Sequence, residues 1–416
     1  MENGEKRVLF INHSVRDGGP GRSLFYILKH LDRNSVRPFV LIPRDDIFSE
    51  RLKEHGIYRD VIVDSRFPDG LFRPFWNSLP GRVSWRGPLG GVLSALMKTA
   101  YAAANIARIA ALVLTFGNVI RERRIDLLHC NGTIAKITGA FTGMLHGVPV
   151  VWHVRNIQQT PFMKFLITRL ARADAVKRII CVSEATAVQF GGNPKVRVIH
   201  NGIDTEEFDP AAPRAQTVRR EYQIPNGAVV VGNTGRVVPR KGYGRFVEAA
   251  AALLKDPGLK TALRFVIVGD TPGFFVGNHL SEIKEKVERM GIADNFIFTG
   301  FRKNVTDCLP DFDIFLIPSN YPDPFPRSVI EAMCFALPVV GFAIGGIEES
   351  VEDGVTGLLS PPGDTRHMTE NLRRLIEDAG MRKSMGSAAR KRVRALYQAR
   401  EKTAEIQAVL LEAAEV

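Results

Sequence analysis

Short apolar runs alternate with stretches of helical periodicity along the whole chain. One set comprises Val8–Asn12, Phe39–Ile42, Leu127–Cys130, Val148–His153, Arg178–Val182 and Val196–His200. A second comprises Val229–Thr234, Arg264–Val268, Asn295–Thr299, Ile314–Pro318 and Pro338–Phe342. Runs that are short, β-branched and spaced by helices predict βαβ units with parallel sheets buried on both faces. Two such sets predict two doubly wound α/β domains. The loop-like stretch Asn201–Pro225, with Pro210, Pro213 and Pro225, marks the boundary between them. Length agrees, because single cores stop growing at about 250–300 residues and this chain has 416. No repeat or low-complexity tract interrupts the order.

One stretch departs from the pattern. Residues 66–91 are rich in proline and hold two of the three tryptophans. Residues 92–116 follow as a long, mostly apolar helical segment with Ser94, Lys98, Asn105 and Arg108 on one face. Lys98 and Arg108 would each cost roughly 2.5–3.5 kcal/mol near a bilayer centre, which argues against a membrane span. Two readings stay open. The segment is an interfacial helix with aromatics and arginines beside it, or a packed helix with its polar stripe in water.

Charge sharpens this. The chain is +12 overall, and residues 66–124 carry nine Lys/Arg against Asp69 and Glu122. Such a surface suits phosphate-bearing ligands, nucleic acid or anionic lipid. No base-reading or aromatic spacing accompanies it, so no nucleic-acid partner is expected. Cys130, Cys181, Cys308 and Cys334 form no C-x-x-C pair and keep no ligand spacing with histidine. A reducing compartment is therefore expected, with neither a zinc site nor a disulfide framework. MENGEKR runs straight into VLFIN with no signal peptide, so the expected location is the cytoplasm.

Candidate chemistry gathers where strands end. Gly235-Arg236-Val237-Val238-Pro239-Arg240-Lys241-Gly242 follows one strand and opens a helix at Tyr243. Open α/β sheets bind ligands at the carboxyl ends of their strands, and helix N-termini favour anions. Arg236 and Lys241 can clamp a diphosphate there, although a basic turn alone is more often merely solvated. Asp323 and Glu331 follow the strand at Ile314. They suit a loop carboxylate for pyranose hydroxyls and a helix carboxylate for ribose; the plainer alternative is a turn residue and an ordinary helix residue. Gly345-Gly346 follows another strand, and paired glycines let backbone amides approach a phosphate or sugar. Gly18-Gly19 lies between the first strand and a helix expected over Leu24–Leu31. Taken alone it is a flexible turn or a phosphate cradle, and it is neither G-x-G-x-x-G nor a P-loop.

Taken together, these segments resemble the retaining GT-B glycosyltransferases of family four over nearly the whole chain. The matching residues are Gly18-Gly19, Val198-Ile199-His200-Asn201-Gly202-Ile203-Asp204, Gly235-Arg236, Lys241-Gly242, Asp323 to Glu331, Pro338-Val339-Val340, Gly345-Gly346 and Gly363-Asp364. The resemblance implies two Rossmann-like domains facing a cleft. The first spans 1–205 with a final helix at 400–416, and the second, the donor domain, spans 206–399. It implies sugar transfer from a nucleoside diphosphate to an acceptor hydroxyl by front-face attack, with no protein nucleophile, no cofactor and no metal. Arg236 and Lys241 would stabilise the leaving diphosphate, aided by Gly18, Gly19, Gly345 and Gly346. Asp323 would hold sugar hydroxyls, Glu331 the ribose and Phe301 the base region. Arg327 joins the donor-binding set, and His153 would lie near the reaction centre. The expected donor is a UDP-sugar ahead of a GDP-sugar. The expected acceptor is a saccharide or lipid-linked sugar in cell-surface polysaccharide or glycolipid assembly, reached at the inner face of the membrane. Two departures stand out: Asp323 where the family usually has Glu, and Pro326 where it has Gly. The alternatives are an inactive nucleotide-sugar-binding module and a sugar-nucleotide epimerase or phosphatase on the same architecture.

Overall fold

The computed structural model describes residues 5–12, 18–68, 88–212, 217–273 and 277–415. Asp69, Trp76, Trp85 and Pro213, each used in the sequence reading, lie outside them. The chain forms two compact units, Met1–Gly202 with Ala399–Val416, and Ile203–Gln398.

Unit 1 runs β1 (Lys6–Asn12), α1 (Gly19–His30), β2 (Val36–Ile42), α2 (Ile47–Glu54), β3 (Val61–Val63), α3 (Pro88–Arg123), β4 (Leu127–Asn131), α4 (Thr133–His146), β5 (Val150–Val154), α5 (Pro161–Leu170), β6 (Val176–Cys181), α6 (Glu184–Ala187) and β7 (Val196–Val198). Its sheet has the order β3-β2-β1-β4-β5-β6-β7. Unit 2 runs α7 (Thr217–Glu221), β8 (Val229–Thr234), α8 (Tyr243–Leu253), α9 (Pro257–Ala262), β9 (Leu263–Val268), α10 (His279–Arg289), β10 (Phe296–Gly300), β11 (Ile314–Ile317), α11 (Arg327–Cys334), β12 (Val339–Phe342), α12 (Gly346–Ser350), β13 (Gly357–Ser360), α13 (Thr365–Glu377) and α14 (Ala379–Leu396). Its sheet has the order β10-β9-β8-β11-β12-β13. Every pairing between neighbouring strands is parallel. The last helix, α15 (Ala399–Ala414), returns to unit 1 and packs on α1 and β4–β6.

The apolar runs mark most strands, and two strands escape them. β3 is three residues long and only partly buried, and β13 opens on glycine, so neither makes a strong apolar run. α1 begins at Gly19 rather than Leu24. Pro20 explains the difference, because proline is pre-set for the first helical turn.

α3 corrects the reading of the segment 92–116. Its inner side carries Ile109, Leu112, Val113, Phe116 and Ile120 into the core of unit 1. Two residues of the polar stripe, Asn105 and Arg108, are engaged within the unit. Asn105 is buried, and Arg108 donates to the carbonyls of Ser65 (2.7 Å) and Arg66 (3.1 Å). The side facing solvent is apolar instead, with Leu96, Ile106 and Leu114 exposed. The stretch Thr99–Arg123 is long and apolar enough to cross a membrane by length and composition, yet a good part of it packs within the unit.

A glycine sets the turn from β8 into α8. Gly242 has φ +74°, and a Cβ there would lie 1.7 Å from the Pro318 carbonyl oxygen. We predict that Gly242→Ala destabilises unit 2 by about 2 kcal/mol or more. Gly244→Ala, two residues on, should be neutral or stabilising, since a Cβ there meets only the Lys286 Nζ at 3.6 Å. Urea unfolding of the full chain reads both; equal midpoints for the two variants would refute the steric argument.

Candidate active site

Parallel strands release their following loops at one edge, and each unit assembles polar residues there. In unit 2 the turn after β8 is pinned from below. The buried Tyr243 hydroxyl donates to Asn233 Oδ1 (2.8 Å), and Asn233 Nδ2 donates to the Leu316 carbonyl (2.5 Å). Above this, Lys241 Nζ lies 2.5 Å from Asp323 Oδ2, both side chains being mostly buried. The clamp lysine and the loop carboxylate, expected to meet different parts of a ligand, are thus brought together as an ion pair. Arg236 stands exposed on the same loop.

The loop bearing Asp323 rests on Gly345 and Gly346. A Cβ on Gly345 would come within 2.6 Å of the Asp323 oxygen, and one on Gly346 within 2.1 Å of the Pro324 oxygen. The Gly346 amide already donates to the Asp323 carbonyl (2.8 Å). This corrects the expectation for Gly346: its amide is used within the protein, and the glycine pair serves close packing of two loops. Pro326 directly precedes α11. A missing amide at a helix start costs little, because the first N–H groups have no helical partner in any case.

Within α11, Arg327 and Glu331 are both buried and face each other one turn apart, Nε to Oε1 3.4 Å. The carboxylate expected to meet ribose therefore has a guanidinium beside it. Phe301, just after Gly300 (φ +70°), is 60% exposed. Asp323, Lys241, Gly345 and Gly346 stand together; Arg327 and Glu331 form a second pair.

In unit 1, Gly18 caps α1 and Gly19 is its first residue. Gly18 has φ −91°, so no left-handed conformation calls for glycine there. His153 is the last residue but one of β5 and is almost wholly buried. Its Nδ1 lies 3.1 Å from Nε2 of His129 on β4. Arg155, just beyond β5, is held by two amides. Its Nε donates to Asn131 Oδ1 (2.7 Å) and its Nη1 to Asn201 Oδ1. Asn131 in turn donates to Asn12 Oδ1 (3.1 Å) and the Pro20 carbonyl (3.2 Å). Ser23, Tyr26, His153, Arg155, Asn201 and Lys402 line a small pocket of this unit. Ser183 is an N-cap, sharing a capping box with Thr186.

Sequence reasoning missed His129, Asn131, Lys136, Asn233 and Tyr243. The signal for His129 was a histidine inside the apolar run LLHC. Lys136 is fully buried, 3.4 Å from Asn156 Oδ1, and burial pushes its ammonium down to about 8. Burial, then the Arg155 charge, holds His129 down at about 3. Burial first, then Arg155, His129 and Lys136, holds His153 well below the ordinary histidine range.

Residues 215–392 match the family described as Glycosyl transferases group 1, and residues 96–207 match Glycosyltransferase Family 4. The D-inositol 3-phosphate glycosyltransferase of Kribbella flavida is 32% identical over 204 residues, 48% of this chain; the match spans about half of that relative, 47%. The 2-deoxystreptamine N-acetyl-D-glucosaminyltransferase of Streptomyces fradiae is 29% identical over 364 residues, 82% of this chain and 83% of that one. The structure of Anabaena HepE in complex with UDP and glucose matches with TM-score 0.77 at 24% identity, covering 98% of this chain and 100% of HepE. That likeness shows the fold: two Rossmann-like α/β units of the GT-B class. The family matches and the named relatives support a glycosyltransferase.

The two histidines make unit 1 sensitive to acid. Both have native values below the unfolded value of about 6.5, so the native state binds fewer protons. Their contribution is complete above that pH and is lost as pH falls through and below it. We predict that stability falls by about 1.4 kcal/mol per pH unit for each histidine below about pH 6. His129→Gln should flatten the slope in urea titrations of the full chain between pH 7 and 5; an unchanged slope would mean that His129 is not held neutral.

Proposed function

We propose that this protein is a retaining glycosyltransferase of family four. It moves a sugar from a UDP-sugar to a hydroxyl of a saccharide or lipid-linked acceptor in cell-surface polysaccharide or glycolipid assembly. One observation carries the reading: Lys241 and Asp323, which match the family's cation and carboxylate positions, meet at 2.5 Å over the carboxyl edge of the unit 2 sheet. HepE binds UDP and glucose, which favours a UDP-sugar. The relatives named for acting on inositol phosphate and 2-deoxystreptamine favour small polyols or sugars as acceptors.

The chemistry follows from charge. Breaking the bond to the anomeric carbon leaves a diphosphate, so the barrier falls if that charge meets preset cations. Arg236 and Lys241 provide these without a bound metal. Asp323 fixes the ammonium of Lys241 and leaves its remaining oxygen for sugar hydroxyls. Glu331, steadied by Arg327, meets ribose, and the exposed Phe301 offers a stacking face for the base. His153 meets the transferred sugar.

The reading includes a place of work: the cytoplasmic face of an anionic membrane. α3, α4 and α5 form one layer of unit 1, and its outer surface exposes Leu96, Ile106, Leu114, Phe141, Phe162 and Phe165. Exposed Arg121, Arg123, Lys164, Arg169 and Arg172 accompany them. An apolar face rimmed by cations suits acidic headgroups, each cation adding about 1 kcal/mol near the surface.

Two measurements test this. Calorimetry in EDTA should give tighter binding of UDP than of GDP or ADP. Arg236→Ala with Lys241→Ala should weaken UDP roughly 100-fold or more, the value of two charge-assisted contacts. No binding of any nucleotide would refute the transferase and the nucleotide-sugar-binding module alike. In the second, the protein should sediment with phosphatidylserine vesicles and lose that binding in Ile106→Ser, Phe162→Ser, Phe165→Ser. Undiminished sedimentation of that variant would remove the membrane from the proposal.

A further inference from the structure

His153 has a histidine behind it. Asn131 on β4 pairs with His153 on β5, and His129 with Val151. Residues two apart share a face, so the side chains at 129 and 153 emerge on the same side of the sheet. The rings meet edge to face at 5.3 Å between centroids, and neither is more than 1% exposed.

The proton positions follow from what surrounds them. Nδ1 of His153 faces two groups: His129 Nε2 at 3.1 Å and Arg155 Nη2 at 3.4 Å. A guanidinium has donors only, so Nδ1 of His153 has to accept. Its single proton then sits on Nε2. The same requirement makes His129 the donor, with its proton on Nε2 as well. His129 Nδ1 is left as a bare lone pair, and it is buried with no hydrogen-bond partner. Turning the pair around would put a proton on His153 Nδ1, where it would face the Arg155 donor. Arg155 cannot swing away easily, because Asn131 and Asn201 hold its other nitrogens.

The charges around the pair act in one direction. His129 comes from β4, Arg155 follows β5, Lys136 comes from α4, and His200 and Lys402 line the pocket from β7's exit and α15. Lys402 is itself tied to Glu405 at 2.6 Å. Among the described residues, no carboxylate lines the pocket. A second proton on either ring would enter a dry site beside cations, so both rings stay neutral.

We propose that His129 is a positioning residue that locks His153 as the Nε2–H tautomer, so that His153 meets its ligand as a neutral hydrogen-bond donor to oxygen and never as a base. The proposal rests on the reading of His153 as a contact of the donor sugar. The oxygen it recognises is a sugar hydroxyl or a phosphate oxygen. A ring already protonated at Nε2 cannot take the acceptor's proton, so that proton leaves by another route.

Nitrogen-15 spectra of the full chain with labelled histidine test the lock directly, His153→Gln assigning the signal. In the wild type, His153 should carry its proton on Nε2 with Nδ1 bare, unchanged from pH 5.5 to 8.5. His129→Leu should mix the tautomers, and His129→Gln, whose amide can still donate, should restore one. With UDP-glucose as the probe, His129→Leu should lower kcat roughly 10- to 100-fold at unchanged KM, by analogy with metal-ligating histidines that lose the partner orienting them. His129→Gln should recover most of that. A proton on Nδ1 of wild-type His153, or titration within that pH range, would overturn the lock whatever the activity. The expected tautomer in a protein that neither binds UDP nor turns over UDP-glucose would uphold the lock and overturn the transferase reading.

Discussion

Both units rest on the all-parallel ladder. A parallel strand cannot be joined to its neighbour by a tight turn, so each must be followed by a crossover that returns to the same starting edge. The turns leaving the strands therefore collect at the opposite edge. That constraint lets Lys241 and Asp323, 82 residues apart in the chain, form an ion pair, and lets Gly345 and Gly346 support the loop between Asp323 and Pro324. It also demands burial on both faces of the sheet. Trp152, Phe10 and Phe315 are accordingly among the largest buried side chains.

The two edges handle charge in opposite ways. In unit 2, buried or half-buried cations sit against carboxylates, Lys241 with Asp323 and Arg327 with Glu331. Pairing fixes the direction of each side chain. In unit 1, the cations Arg155 and Lys136 lie near two buried histidines, and the polar partners are amides: Asn131, Asn156 and Asn201. Amides satisfy donors without adding charge. One edge thus sets its cations against carboxylates, and the other sets them against amides.

The sequence made much of this readable, and what it hid has a physical reason. Burial on two faces writes a strand as an unbroken apolar run, which is why β1, β4, β8 and β11 stand out in the sequence. β3 is too short and too exposed to write that signal, and β13 begins with the smallest side chain. Loop chemistry was legible as residue types, Arg236 with Lys241 and Asp323 with Glu331. Their partners were not, because an ion pair across 82 residues depends on sheet order rather than spacing. Gly346 shows the limit clearly. A glycine that admits a ligand and a glycine that admits a neighbouring loop look alike in sequence, and only the 2.1 Å approach to Pro324 separates them. α3 shows a different limit. Its alanines and leucines gave no preferred face, so a packed helix with a wet polar stripe stayed open beside an interfacial one, whereas Asn105 is buried.

The place of α15 in the chain bears on how the protein is made. Unit 2 is one continuous stretch, while unit 1 needs residues 399–414 to cover α1 and β4–β6. Synthesis usually lets the N-terminal domain fold first. Here the first two hundred residues leave the ribosome with one flank of their sheet bare. That flank stays open until the whole of unit 2 has been made, so the later unit can close before the earlier one. During that interval the nascent chain displays to solvent the surface of α1 and β4–β6 on which Ile406, Val409 and Leu410 of α15 will later land, and a chaperone has its clearest reason to attend there.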